Sequence, residues 1–113
     1  QFDAQKTEGV SASSPSESQE NRRFTEHLNK AATEGTPVFI DFWATWCRNC
    51  LVMKKSTFPH PEVAERLSAY SVFEYQAENP STPETAEVLR HFGIQGLPFY
   101  LILQPISDAQ SIP

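Results

Sequence analysis

Apolar side chains return at helical period between Asn21 and Glu34, where Phe24, Leu28, Ala31 and Ala32 share one side, and Gly35 with Pro37 supplies the stop. Val38 to Trp43 is a short apolar run interrupted only by Asp41, a pattern suited to a central strand covered on both faces. The pattern then predicts a helix from about Cys47 to Ser56, a break at Thr57-Phe58-Pro59-His60-Pro61, and renewed helical spacing from Glu62 to Ala69. Val72 to Ala77 alternates as a strand does. Thr82 is placed to cap a helix that carries Pro83 at its first position and runs to about Phe92, and Phe99 to Leu103 is a last apolar strand. Helices and strands in this alternating order predict an α/β fold, a mostly parallel sheet with helices on both faces and chemistry gathered at the carboxyl ends of the strands. Phe39, Phe42, Phe73, Phe92 and Leu101 are the expected core.

The first residues break from this pattern. Ser11, Ser13, Ser14, Pro15, Ser16 and Ser18 alternate with Glu and Gln, and no aromatic follows Phe2 until Phe24. Such a stretch cannot bury enough apolar surface to offset its ordering entropy, so residues 1–20 are expected to be a flexible leader, either a bare tail or a tether. Residues 21–113 are then one domain. A net charge of -5, with the nine Lys and Arg scattered, argues against nucleic acid, which needs clustered cations. No run approaches the roughly 18 apolar residues of a membrane span, and the start lacks the basic-then-apolar order of a signal peptide. A mature protein or a piece of a membrane protein would look the same.

Cys47 and Cys50, the two cysteines of the chain, sit where the apolar strand gives way to a helix. A thiol at a helix start meets unpaired backbone N–H groups and the positive end of the macrodipole, which favours its thiolate. As a staple the pair is poor, because closing so short a loop contributes only about 2 kcal/mol on a chain-entropy basis. A metal site would need more ligands, and His27, His60 and His91 are dispersed. The pair therefore reads as redox chemistry, with Cys47 the exposed nucleophile and Cys50 the resolving thiol one turn deeper. Arg48 adds positive charge beside the nucleophile. An ionised Asp41 among apolar strand residues would be costly, so its pKa should rise, unless it faces solvent.

Asp41-Phe42-Trp43-Ala44-Thr45-Trp46-Cys47-Arg48-Asn49-Cys50 resembles the active-site stretch of the thioredoxin superfamily, and Gly93-Ile94-Gln95-Gly96-Leu97-Pro98 resembles its cis-proline loop. The likeness covers roughly residues 22–103. Within the superfamily, Thr57-Phe58 and Pro61-Glu62-Val63 are most similar to the C-terminal domain of the DsbD thiol:disulfide interchange proteins. The resemblance implies a thioredoxin-like fold and a protein-disulfide reductase whose only redox group is the Cys47–Cys50 disulfide, with no nicotinamide, flavin or metal.

It also implies roles. Asp41 becomes the buried acid that exchanges a proton with Cys50 through water. Pro98 is expected to be cis and to pack against the cysteines, Leu97 to offer its backbone to an extended partner segment, and Trp46 to border the site. Asn49 stands where thioredoxin itself has proline, so the redox poise does not carry over. Lys54 lies where related domains can carry an acid, and it either tunes Cys50 or is an ordinary solvated lysine. Protein disulfides or dithiols are the implied partners, with a membrane electron-donor domain beside them, acting on a monomer. The implied place is periplasmic or otherwise outside the cytoplasm, the cytoplasm being the alternative, and a general thioredoxin-like protein or a reductase dedicated to one client such as an apocytochrome is the enzymatic alternative. A redox-inert adaptor that keeps the fold only to bind is the non-enzymatic rival. After Leu103, Gln104 to Pro113 fall short of the further strand and closing helix of that fold, so an exposed sheet edge is expected.

Overall fold

The computed structural model describes residues 16–106. The first helix, α1, spans Glu17–Glu34 and so starts ahead of the Asn21 expected from hydrophobic spacing. Its start is a capping box: the Ser16 hydroxyl accepts from the Gln19 amide, and the Gln19 side chain accepts from the Ser16 amide. Residues 16–20, assigned to the leader on composition, thus belong to the folded unit, while 1–15 lie outside the described residues. Gly35 ends α1 in the left-handed region at φ 71°, its amide reaching the carbonyls of Ala31 and Ala32.

Strand β1 (Val38–Trp43) matches its expected bounds. After it come α2 (Arg48–Val52), a π-helical turn (Met53–Thr57), α3 (Pro61–Leu67), β2 (Ser71–Gln76), α4 (Pro83–His91) and β3 (Phe99–Leu103). The single helix expected over Cys47–Ser56 is therefore two segments, and the wider turn closes where the Phe58 amide reaches the Met53 carbonyl at 2.9 Å. His60, to which the sequence assigned nothing, caps α3 by accepting from the Glu62 amide through Nδ1.

The sheet has the order β2-β1-β3 and is mixed. β2 runs parallel to β1, with Ile40 beside Phe73, whereas β3 runs antiparallel, with Phe42 beside Phe99. β2 ends and β3 begins at the same end of the sheet, so α4 does not carry the chain back across as a parallel crossover must. Among the described residues each outer strand pairs on one side only; residues 107–113 lie outside them.

Alternate residues of β1 serve two layers. Val38, Ile40 and Phe42 are buried under α1 and α4, in a cluster where the Phe24 ring lies 5.3 Å from Tyr75 and 5.4 Å from Phe73. Phe92 and Leu101 border this cluster. Phe39, expected in the same core, is half-buried on the opposite face, stacked on Tyr100 at 5.8 Å and edge-on to Phe58 at 6.1 Å. At the rim of β2 the Gln76 amide donates to the buried Glu20 carboxylate of α1 at 2.9 Å, and Arg23 binds the same carboxylate at 2.8 Å.

Candidate active site

Cys47 is the N-cap of α2, with extended backbone, and its sulfur accepts from the Cys50 amide at 3.2 Å. The two sulfurs are joined as a disulfide with Cα atoms 5.2 Å apart. In this oxidised state Cys47 is 6% and Cys50 1% exposed. Cys50 is the deeper, as expected, but Cys47 is far less exposed than the nucleophile foreseen. Ala44, Trp43 and Leu97 pack around the pair and cover it. The Leu97-Pro98 bond is cis, and Leu97 brings that loop against the cysteines.

The remaining residues named from sequence fall into two groups. Arg48 and Asn49 lie exposed on the first turn of α2, and Trp46 is 57% exposed. Trp46 is nevertheless fixed, because its Nε1 donates to the Glu78 carbonyl at 2.8 Å. Trp43 is partly buried against the cysteine cluster.

Asp41 and Lys54 form the second group, linked to the pair through the Trp43 ring. Asp41 is 2% exposed and Oδ1 has no protein partner among the described residues, so it is not a solvent-facing strand acid. Burial pushes its carboxyl up to about 6; the Lys54 ammonium holds it down and the Glu74 carboxylate pushes it up. Lys54 is not the solvated side chain that its type suggests. Its Nζ lies 2.9 Å from Glu74 Oε1, 3.8 Å from Asp41 Oδ2 and 4.0 Å from the centre of the Trp43 ring. Tyr100 faces Asp41 across the β1–β3 ladder, and burial followed by the Asp41 charge raises its phenol above the usual range.

Two carboxylates escaped the sequence. Glu74 joins the cluster through the parallel pairing of β2 with β1, a long-range relation that no local pattern encodes. Glu78, just past β2, accepts from the Thr45 amide at 3.0 Å, from the Thr45 hydroxyl and from the Gln76 side chain at 2.8 Å. Burial alone would raise its carboxyl, but these donors outweigh it and hold the group below the usual range. The rule that chemistry gathers at strand carboxyl ends could have found Glu78, because β2 ends beside β1.

Residues 19–105 match the family model described as thioredoxin-like. The chain belongs to the thioredoxin-like family. A Cys-x-x-Cys pair closing β1 in the thioredoxin-like fold makes this a thiol-disulfide oxidoreductase centre. Among relatives, the chain is 31% identical over 84 residues to thiol:disulfide interchange protein DsbD 1 of Pseudomonas aeruginosa, covering 74% of the chain. It is 34% identical over 70 residues, or 62% of the chain, to DsbD of Haemophilus ducreyi. The chain spans only 14% and 12% of those two proteins. Among solved structures, the oxidised C-terminal domain of Neisseria meningitidis DsbD superposes with a TM-score of 0.67 at 27% identity, over 74% of this chain and 73% of that one. A thioredoxin from Thermus thermophilus gives 0.62, also at 27% identity, over 74% and 63%. No helix among the described residues is long and apolar enough to cross a membrane.

Proposed function

We propose that this thioredoxin-like unit is a reductase which, as a dithiol, passes two electrons to disulfides of other proteins outside the cytoplasm, as a DsbD C-terminal domain would. The observation that carries this reading is the cysteine pair at the end of β1 with Leu97 of the cis-proline loop packed against it. The Cys47 thiolate bonds to one sulfur of the partner's disulfide, whose S–S bond breaks so that the other sulfur leaves as thiolate. Cys50 then gives its proton to the Asp41 carboxylate and bonds to Cys47 Sγ, and the bond between Cys47 and the partner breaks. The partner leaves with both sulfurs as thiolates, which become a dithiol by taking one proton from the Asp41 carboxyl through water and one from solvent, and the pair ends as a disulfide. Electrons reside on sulfur throughout, so no nicotinamide, flavin or metal takes part.

Asp41 suits its task because a carboxyl pushed to about 6 by burial exchanges protons near neutrality. The exposed Trp46 ring and the Leu97 backbone form the landing for an extended partner segment. A membrane electron-donor domain would return the pair to its dithiol form.

The test is to mix the reduced chain with oxidised protein substrates, with Cys47→Ser as control, and to measure the potential of the pair against glutathione. Transfer is expected from the wild type and not from the variant. An inert dithiol, together with a Cys47 no more reactive than a cysteine in a free peptide, would point to an adaptor instead.

A further inference from the structure

The Lys54 ammonium is shared unequally between two carboxylates on neighbouring strands, 2.9 Å from Glu74 and 3.8 Å from Asp41, with the Trp43 ring beneath it at 4.0 Å. Trp43 also packs against the cysteine cluster, so one side chain touches both the cation and the redox pair. Lys54 is 21% exposed and Asp41 is nearly sealed, which keeps water from screening their attraction. Glu74 is about half-exposed and competes for the same cation. We propose that Lys54, held by Glu74 and Trp43, is a positioning residue that divides its charge between Glu74 and Asp41 and thereby sets how readily Asp41 takes the proton of Cys50. That use of the charge rests on the reductase reading above; the division itself does not.

Lys54 gives up neither proton nor electron. In the resolving step the proton passes from Cys50 Sγ to the Asp41 carboxylate while Cys50 attacks Cys47. The ammonium determines what that carboxylate gains by accepting it. Asp41 is faced by Lys54 from the π-helical turn, Glu74 from β2 and Tyr100 from β3, with the cysteine pair of α2 beyond Trp43. Removing the cation leaves a buried carboxylate with no counter-charge among the described residues. Removing Glu74 does the reverse: it deletes a repelling charge and frees the ammonium to close on Asp41.

The two substitutions therefore shift Asp41 in opposite directions, which general loosening of the site would not do. In the disulfide form no cysteine titrates, so the 13C carboxyl resonance of Asp41 can be followed alone. Lys54→Met should raise its midpoint by about 1–3 pH units, the usual worth of a close opposite charge. Lys54→Arg should restore it, and Glu74→Gln should lower it. The acid limb of the resolving step, read as the decay of a mixed disulfide, should move the same way in each variant. An unmoved midpoint, or shifts of the same sign in Lys54→Met and Glu74→Gln, would overturn the inference even if the wild type reduces protein disulfides. Opposite shifts in a chain that reduces none would uphold the division of charge and remove only the reductase reading.

Discussion

The two faces of β1 carry opposite kinds of cost. On one, Val38, Ile40 and Phe42 sink into an aromatic cluster with Phe24, Phe73 and Tyr75. On the other, one residue along, Asp41 and Trp43 bury a carboxylate oxygen and an indole N–H that meet no protein partner among the described residues. The apolar face gains free energy with every residue it covers, whereas the polar face spends some of that gain to keep an acid out of water beside a redox pair. A single strand can hold both because its side chains alternate, so the stabilising layer and the reacting layer share one backbone without mixing.

Substitutions on the two faces should therefore differ in sign. The largest effect falls on the apolar side, where Phe42→Ala should cost about 3–5 kcal/mol in urea unfolding while the folded fraction keeps exchanging disulfides. A loss of activity beyond the loss of folded protein would show that the layers are coupled. Asp41→Asn should act the other way. The folded carboxyl titrates near 6 against an ordinary 3.8, so folding favours its protonated form, and stability is full below the ordinary value and falls as pH rises through the folded one. In the disulfide form Asp41→Asn should thus be more stable than the wild type by up to about 3 kcal/mol at alkaline pH, with the gap closing in acid. Equal stability at both ends would mean that Asp41 is not strained by burial. Smallest of all is Tyr100→Phe, which removes a buried hydroxyl without a protein partner among the described residues and should be neutral or stabilising by about 1 kcal/mol in the same measurement.

What could be foreseen follows the same division. β1 and β3 match their expected bounds because continuous apolar runs mark covered strands, and α4 starts at Pro83 as its first-turn proline indicates. The cysteine pair was legible as type and spacing, and the burial of Asp41 from its apolar neighbours. The start of α1 was hidden, because the Ser-rich composition that suggests a leader also contains the Ser16 and Gln19 of a capping box. The direction of β3 was not encoded in element order, since alternation does not say at which end α4 delivers the chain. Which of the two readings of Lys54 applies was hidden for a related reason: its partners come from β1 and β2, and only the sheet brings them together.

Glu20 bears on what can happen at the side of β2 that is unpaired among the described residues. Its carboxylate already holds the outward N–H of Gln76, the last of that strand. A second chain annealing there would meet an occupied donor and the Glu20–Arg23 pair at the end nearest the disulfide, which opposes sideways growth of the sheet toward the working end. One acid on α1 thus acts as a guard rail, leaving visitors to arrive over the sulfur pair and not along the ribbon.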